Sequence, residues 1–390
     1  MEHLRRSPPN SKFIREVRRI GRNAKRFIRP LLNLGCNPLR PIVDPGQVRA
    51  AYLASPLAAE PDTFCLTRIV GNDLVPRHRK GQSRENVSFI LKHEPTFENC
   101  TKFWVLNRIF DADEETAIIK LLEAHGQLYH RIPFDLSLYA RQTWDLDGLP
   151  EDALTILGDS SIDDEVSVKT RRRLGPVIRR SKSNYAINNN GARNVALTLG
   201  RTMAKWALPW DGNCFITQAG WTRIRGGISE KPYLPYFVVP MARMTDNAAL
   251  LREGFQPTSR EEPQIIFRCD AKEMFDERFP YGHRPKVELL YRLGVPGIWS
   301  DAEVAEYELP RPPLSGDAGQ VGNAGWVARL SSGNPTLEIG RRNNSRRGAA
   351  RDAAIVAFLD MLDQACIEAG LMTSDSLSLA LQTRNHSLDD

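Results

Sequence analysis

A chain of 390 residues, 41% hydrophobic and 26% charged, has enough apolar content for one large core or two medium ones and is neither fibrous nor globally disordered. No run of 18 apolar residues occurs, so no spanning helix is expected; the N-terminus lacks the apolar stretch and cleavage site of a signal peptide, and a cytoplasmic location is expected. The net charge of +6 is concentrated: residues 1–30 hold ten Lys or Arg against Glu2 and Glu16, so the remainder is slightly acidic and whole-protein nucleic-acid binding loses its compositional support.

Within that N-terminal arm, Phe13, Val17, Ile20, Ala24, Phe27 and Ile28 share one helical face and the arginines the other, over residues 12–29. A basic amphipathic helix of this kind suits an anionic membrane surface, which here would be the inner one, or packs as a solvated arm on its own domain, with nucleic acid as a lesser third reading. Proline-bearing sequence over residues 31–62 reads as a linker with one short helix, 45–53.

The compact domain is expected from residue 63 to residue 300. Phe64–Val70 is a strand-like run, followed by a polar loop with Gly71, Pro76 and Gly81 and a helix over 85–92. Residues 102–109 form a second apolar run, Asp111 and Asp113 mark the start of a helix over 114–125, and 128–132 form a third run. Strand and helix alternating with short connections imply an α/β fold with a mostly parallel central sheet flanked by helices. Residues 135–183 break the pattern: an acidic cluster (Asp159, Asp163, Asp164, Glu165) precedes a basic run from Lys169 to Lys182, read as a polar insertion or mobile lid.

A helix then opens at Asn188 to Asn190, with Ala192, Val195, Ala196, Leu199 and Met203 at helical spacing. Trp206 to Leu208 lead into Pro209 and Trp210, and the run closes on Asp211, Gly212 and Asn213. Further strands are expected at 236–243 and 264–268, with a helical or looped excursion between them and an acidic patch (Asp270, Glu273, Asp276, Glu277) after the second. A helix in 280–294, a Gly/Pro-rich loop over 310–323 and an amphipathic helix over 345–370 complete the chain, the last two within a C-terminal extension, 301–390. The six cysteines are scattered without a CxxC pair, as buried free thiols are.

At the strand ends, Gly71 with Asn72 and Asp73, Asn107 with Arg108, and Asp211 with Asn213 would converge on one crevice, where backbone donors, arginines and carboxylates suit a polar, phosphorylated ligand. The segment from Asn190 through Arg193 and Asn194, a helix, then a short apolar strand ending in Asp211, Gly212 and Asn213, resembles the nucleotide-sugar transferases of the GT-A fold, many of which carry such a helix ahead of a DxD signature. The resemblance covers roughly residues 63–300. It implies transfer of a sugar from a nucleotide-sugar donor to a glycan or other hydroxyl acceptor, as in surface polysaccharide synthesis.

Residue by residue, the resemblance implies that Asp211 contacts the ribose or a metal-bound diphosphate, and that Asn213 stands where a second acid belongs. It sets Arg193 and Asn194 near base or phosphate, and Arg68 and Asp73 near the nucleobase. A Mg²⁺ or Mn²⁺ ion on Asp211, Asn213 and His283 is implied, weakened because Asn213 contributes an amide oxygen and no charge. A direct displacement also needs a base for the acceptor hydroxyl and cations for the departing diphosphate. Asp270 at its strand end, Asp276, Glu277, Glu261 and Glu262 are candidates for the base, and Arg284 and Lys286 for the cations. Trp210 is read as a site wall that stacks on a sugar ring. A non-catalytic sugar-nucleotide or glycan-binding module is the competing reading; a nucleotidyltransferase is a third, poorly matched because the loop after the first strand lacks a glycine-rich phosphate motif.

Overall fold

The computed structural model describes residues 43–158, 165–258, 261–297, 299–300, 304, 307–333 and 343–373. The basic segment 12–29 and the acidic residues Asp159, Asp163 and Asp164 lie outside them. Among the described residues no helix is long and apolar enough to cross a membrane.

Asp44 caps helix α1 (Pro45–Leu53), its carboxylate accepting the Gly46 N–H, while Pro45 sits at the first helical position, where its missing donor costs nothing. Strand β1 (Phe64–Val70), helix α2 (Gln82–His93), strand β2 (Cys100–Asn107), helix α3 (Ala112–Ala124) and strand β3 (Leu128–Ile132) follow in the expected alternation. The Asp111 carboxylate accepts the N–H groups of Asp113 and Glu114, which sets the start of α3. Later come helix α8 (Asn189–Met203), strand β4 (Trp206–Asp211), strand β5 (Cys214–Phe215), helix α9 (Gln218–Glu230), strand β6 (Tyr236–Arg243) and strand β7 (Glu261–Arg268). Helix α10 (Val287–Arg292), strands β8 (Val321–Asn323) and β9 (Val327–Arg329), and helix α11 (Asn343–Glu368) complete the described order.

These strands make one nine-stranded sheet in the order β3-β2-β1-β4-β7-β6-β9-β5, with β8 also on β6. β1 lies parallel to β2 and β4, and β2 parallel to β3. β7, however, runs antiparallel to both β4 and β6, and β5 antiparallel to β9. The sheet is therefore mixed: its first four strands are parallel, as expected from the sequence, and β8 and β9 are parallel to β6, but β7 and β5 run against their neighbours. The reason is local: β6 and β7 are joined by a short 3₁₀ turn at Asn247–Leu251 rather than by a crossover helix, and an antiparallel neighbour needs no crossover. Only Gly212 and Asn213 separate β4 from β5, which stand far apart in the strand order. The sheet curls so that its far end returns to the tip of β4. It also continues past residue 300, the expected end of the compact domain, through β8 and β9.

Side-chain alternation assigns the two faces. Phe64, Leu66, Trp206, Leu208, Trp210 and Phe237 bury one face beneath α9, which contributes Trp221, Ile224 and Ile228. That face continues under α2 and α3 through Val87, Ile90, Ile118 and Leu122. On the other face Ala207, Val238, Ile265 and Phe267 pack against Leu197 of α8 and Leu289 and Leu290 of α10. Gly200 lets α8 approach Ala207 so closely that a Cβ would crowd the alanine methyl.

The stretch read as a polar lid is largely helical in its described part: α4 (Leu136–Ala140), α5 (Glu151–Gly158), α6 (Glu165–Ile178) and α7 (Arg180–Ile187). Leu146, Leu149, Leu154, Leu174, Val177 and Ile178 give it a small core of its own. Lys182, expected in a solvated basic run, is 1% exposed; it donates to Asp363 at 2.6 Å and so holds α11 against α7.

Candidate functional site

The chain leaves β1 outward through β2 and β3, then returns to add β4 on the other side of β1. Strand order thus reverses between β1 and β4, and in an open α/β sheet a crevice forms there beyond the carboxyl ends of the strands. A cleft of about 170 Å³ occupies that place. Its walls are the loop after β1 (Gly71, Asn72, Asp73), the start of α8 (Asn189, Arg193), the turn after β4 (Asp211 to Asn213) and Arg329 at the end of β9.

Asp211 is the centre of its charge. One carboxylate oxygen accepts from the Arg193 guanidinium at 2.7 Å, the other from the Gln264 amide at 2.9 Å, and the Lys286 ammonium lies 3.7 Å from the latter. Lys286 is shared with Glu262 at 3.2 Å, and Arg193 also donates to Asn190 Oδ1 at 2.9 Å. Burial opposes ionisation of Asp211, but Arg193, Lys286 and Arg329 outweigh it and hold the carboxyl far below the usual carboxylate range. The same burial pushes the neighbouring Cys214 thiol up to about 12, so it is no nucleophile near neutral pH.

Gly212 makes this geometry attainable, because a Cβ there would collide with the Ile69 carbonyl of β1. Gly212→Ala is expected to cost about 1–3 kcal/mol of stability by overpacking and to displace Asp211 from Arg193. Urea denaturation checks the first effect; an unchanged midpoint would show that the turn has room the geometry denies it.

Other residues singled out in the sequence hold the cleft's rim. The Asn72 amide donates to the Arg108 carbonyl at 2.7 Å and its oxygen accepts the Phe110 N–H at 2.8 Å, which ties the loop after β1 to the loop after β2. Asp73 accepts from the Ser83 N–H and hydroxyl at the start of α2; burial raises its carboxyl and these bonds moderate the rise. Asn107 donates to the Ile187 carbonyl at 2.8 Å and accepts from the Asn188 amide at 2.9 Å. Arg108 and Asn188 both adopt left-handed backbone (φ 47° and 46°), a strained choice for residues with side chains that these bonds over-determine. Arg108 stacks over Tyr185 at 4.1 Å, and burial lowers its guanidinium below its ordinary value.

A second, polar cavity of about 260 Å³ adjoins the cleft through Asn189 and is lined by Arg108, Tyr185, Asn190 and Glu277, among others. Glu277 is exposed to it, with one carboxylate oxygen accepting the Asn194 amide at 2.7 Å. The remaining Asn194 bonds, to the Phe275 carbonyl and N–H, pin this acidic loop to α8. The Asp276 side chain is taken by Arg278, and its burial is outweighed by that partner, which holds the carboxyl low.

Several expected site residues lie elsewhere. Arg68 is fully buried on the face opposite α8, bonded to Glu94 at 2.5 Å and to the Cys214 carbonyl at 2.8 Å. Trp210, one residue from Asp211, alternates to that same buried face, and its indole N–H donates to the Ile265 carbonyl. Asp270 follows the end of β7, and because β7 runs antiparallel to β4 that end lies at the opposite edge of the sheet, where Asp270 pairs with Arg268. The start of β7, with Glu262 and Gln264, is the end that reaches Asp211. His283 and Arg284 line a separate small pocket, with His283 3.1 Å from Glu308 and Arg284 donating to the Leu309 carbonyl.

The donor set expected for a divalent cation therefore does not converge. Both Asp211 oxygens already accept from protein donors, His283 faces another pocket, and among the described residues no group of three His, Cys, Asp or Glu is placed to hold a metal. No family model, no curated protein and no solved structure matches the chain. The geometry of the cleft is thus what speaks to function. Sequence reasoning passed over Arg329, Gln264 and Tyr281, which line or bound it. The signal for Arg329 was faint: one cation closing the apolar run Trp326 to Ala328, too short to show a period.

Proposed function

We propose that the chain is a glycosyltransferase of the GT-A kind that moves a sugar from a nucleotide-sugar donor to a hydroxyl acceptor. The observation that carries the reading is the cleft at the strand-order reversal, lined by Arg193 and Arg329 around an ionised Asp211. In this reading the nucleoside lies along Gly71 to Asp73, the diphosphate faces Arg193 and Arg329, and the sugar points toward Asn189. The acceptor enters the adjoining polar cavity, whose asparagines and Arg108 suit a hydroxyl-rich molecule such as a glycan.

Of the expected bases, Glu277 is the carboxylate that lines this cavity. It takes the acceptor's proton as the hydroxyl oxygen bonds to the anomeric carbon and the bond from that carbon to the diphosphate oxygen breaks. Titrating the protein with a panel of uridine, guanosine and adenosine diphosphate sugars, and assaying hydrolysis and transfer to mono- and oligosaccharides, tests it. Binding of at least one donor is expected, with Glu277→Gln leaving donor affinity within about threefold and lowering transfer by about 10²–10⁴. Absence of binding to every donor would sink the proposal; binding without turnover would favour a non-catalytic sugar-nucleotide module.

A further inference from the structure

We infer that this cleft holds a diphosphate through Arg329 and Arg193 in place of a divalent cation, with Arg329 the residue that grips it. The inference rests on the reading of the cleft as a nucleotide-sugar site only for what the diphosphate is attached to.

Three observations carry it. Arg329 lines the cleft, is only partly buried, and its side chain makes no hydrogen bond or ion pair among the described residues, so its donors face the cavity. Arg193 and Lys286, by contrast, are 5% and 3% exposed and committed to Asp211. Arg329 acts on Asp211 and Glu261 only through space, so of the cations around Asp211 it is the one whose guanidinium is not spent on a hydrogen bond or close ion pair.

A divalent ion on Asp211 would share the carboxylate with the Arg193 guanidinium and the Gln264 amide and sit beside the charges of Arg193, Lys286 and Arg329. Mg²⁺ or Mn²⁺ needs several oxygen ligands, and the nearest second carboxylate in the cleft, Asp73, is held by Ser83 at the start of α2. A guanidinium offers parallel N–H donors that match two phosphate oxygens and brings the required charge without those ligands. Asp211 in this arrangement orients Arg193 and Lys286 and touches no phosphate. The absence of a second acid at Asn213 then has a physical reason: an acid there would offset the Arg329 charge that the diphosphate meets.

Calorimetric titration with inorganic pyrophosphate, in EDTA and in Mg²⁺, tests the inference on the full chain. Pyrophosphate is expected to bind in EDTA, Arg329→Ala to weaken it by about tenfold or more, and Arg329→Lys to retain part of the affinity. Arg329→Ala should lower the unfolding midpoint only slightly, because the guanidinium makes no hydrogen bond or close ion pair and acts on Asp211 and Glu261 only through space. Binding that requires Mg²⁺, no pyrophosphate binding in either buffer, or an Arg329→Ala affinity equal to wild type would overturn it. The two proposals separate cleanly. Nucleotide-sugar binding that needs Mg²⁺ removes the inference and leaves the transferase, while pyrophosphate binding in EDTA with no nucleotide-sugar binding does the reverse.

Discussion

Replacing Asp211 by alanine is expected to lower the unfolding free energy at pH 7 by about 3 kcal/mol, because removing one member of a buried ion cluster strands the others. Arg193 and Lys286 are 5% and 3% exposed and cannot be rehydrated without opening the cleft, while Asp211 is 27% exposed, which keeps the loss at the lower end of the range for buried pairs. Lys286 keeps Glu262 as a partner, so most of the cost falls on Arg193. The effect has a defined pH dependence. The folded carboxyl is held below its unfolded value near 4, so its stabilisation is fully present above about pH 4 and declines as pH falls below it. Wild type and Asp211→Ala should therefore converge in stability in acid. Urea denaturation of both proteins from pH 7 down to 3 measures this; parallel curves across that range would mean that Asp211 does not hold the cations in the folded state.

The largest structural effect is expected at Glu94, the buried partner of Arg68. Its side chain is 0% exposed and receives Arg68, also 0% exposed, together with Lys102 at 2.8 Å and the Ile216 N–H at 2.8 Å. Glu94→Gln keeps an acceptor for Ile216 but leaves the Arg68 guanidinium uncompensated, at a cost of about 3–5 kcal/mol. Replacing Arg68 by methionine in that background removes the stranded charge and should recover more than half of the loss, since buried pairs are often replaceable by apolar side chains of similar volume. A double variant as unstable as Glu94→Gln alone would refute the ion-pair account. The cluster also bears on the cleft: Arg68 and Glu94 bind the backbone at Cys214 and Ile216 and so fasten β5, which follows directly from the Asp211 turn. Glu94→Gln should loosen that turn and weaken pyrophosphate binding along with stability.

How far the sequence could be read follows from which interactions are local. β1 and β3 coincide with the apolar runs 64–70 and 128–132, and α11 at Asn343–Glu368 lies within two residues of the amphipathic stretch over 345–370, because hydrophobic periodicity acts over neighbouring residues. β5, β8 and β9 escaped notice because two or three residues cannot show a period. The helices of 136–187 were hidden by their charge, although Leu146, Leu154 and Leu174 find each other across the segment.

At the site, the sequence alone determined that Gly71 to Asp73, Asn107 with Arg108, and Asp211 to Asn213 end successive strands, since strand ends follow from local composition. Whether those ends meet depends on strand direction and order, which are non-local. Parallel β1, β2 and β4 bring these three tips together, whereas the reversal of β7 carries Asp270 to the far edge and delivers Glu262 and Gln264 instead. Alternation across the pleat sent Arg68 and Trp210 to the buried face while leaving Asp211 at the cleft. Arg329 enters from more than a hundred residues away because the curled sheet returns β9 and β5 to the tip of β4, a closure that only the packed core of the whole sheet enforces.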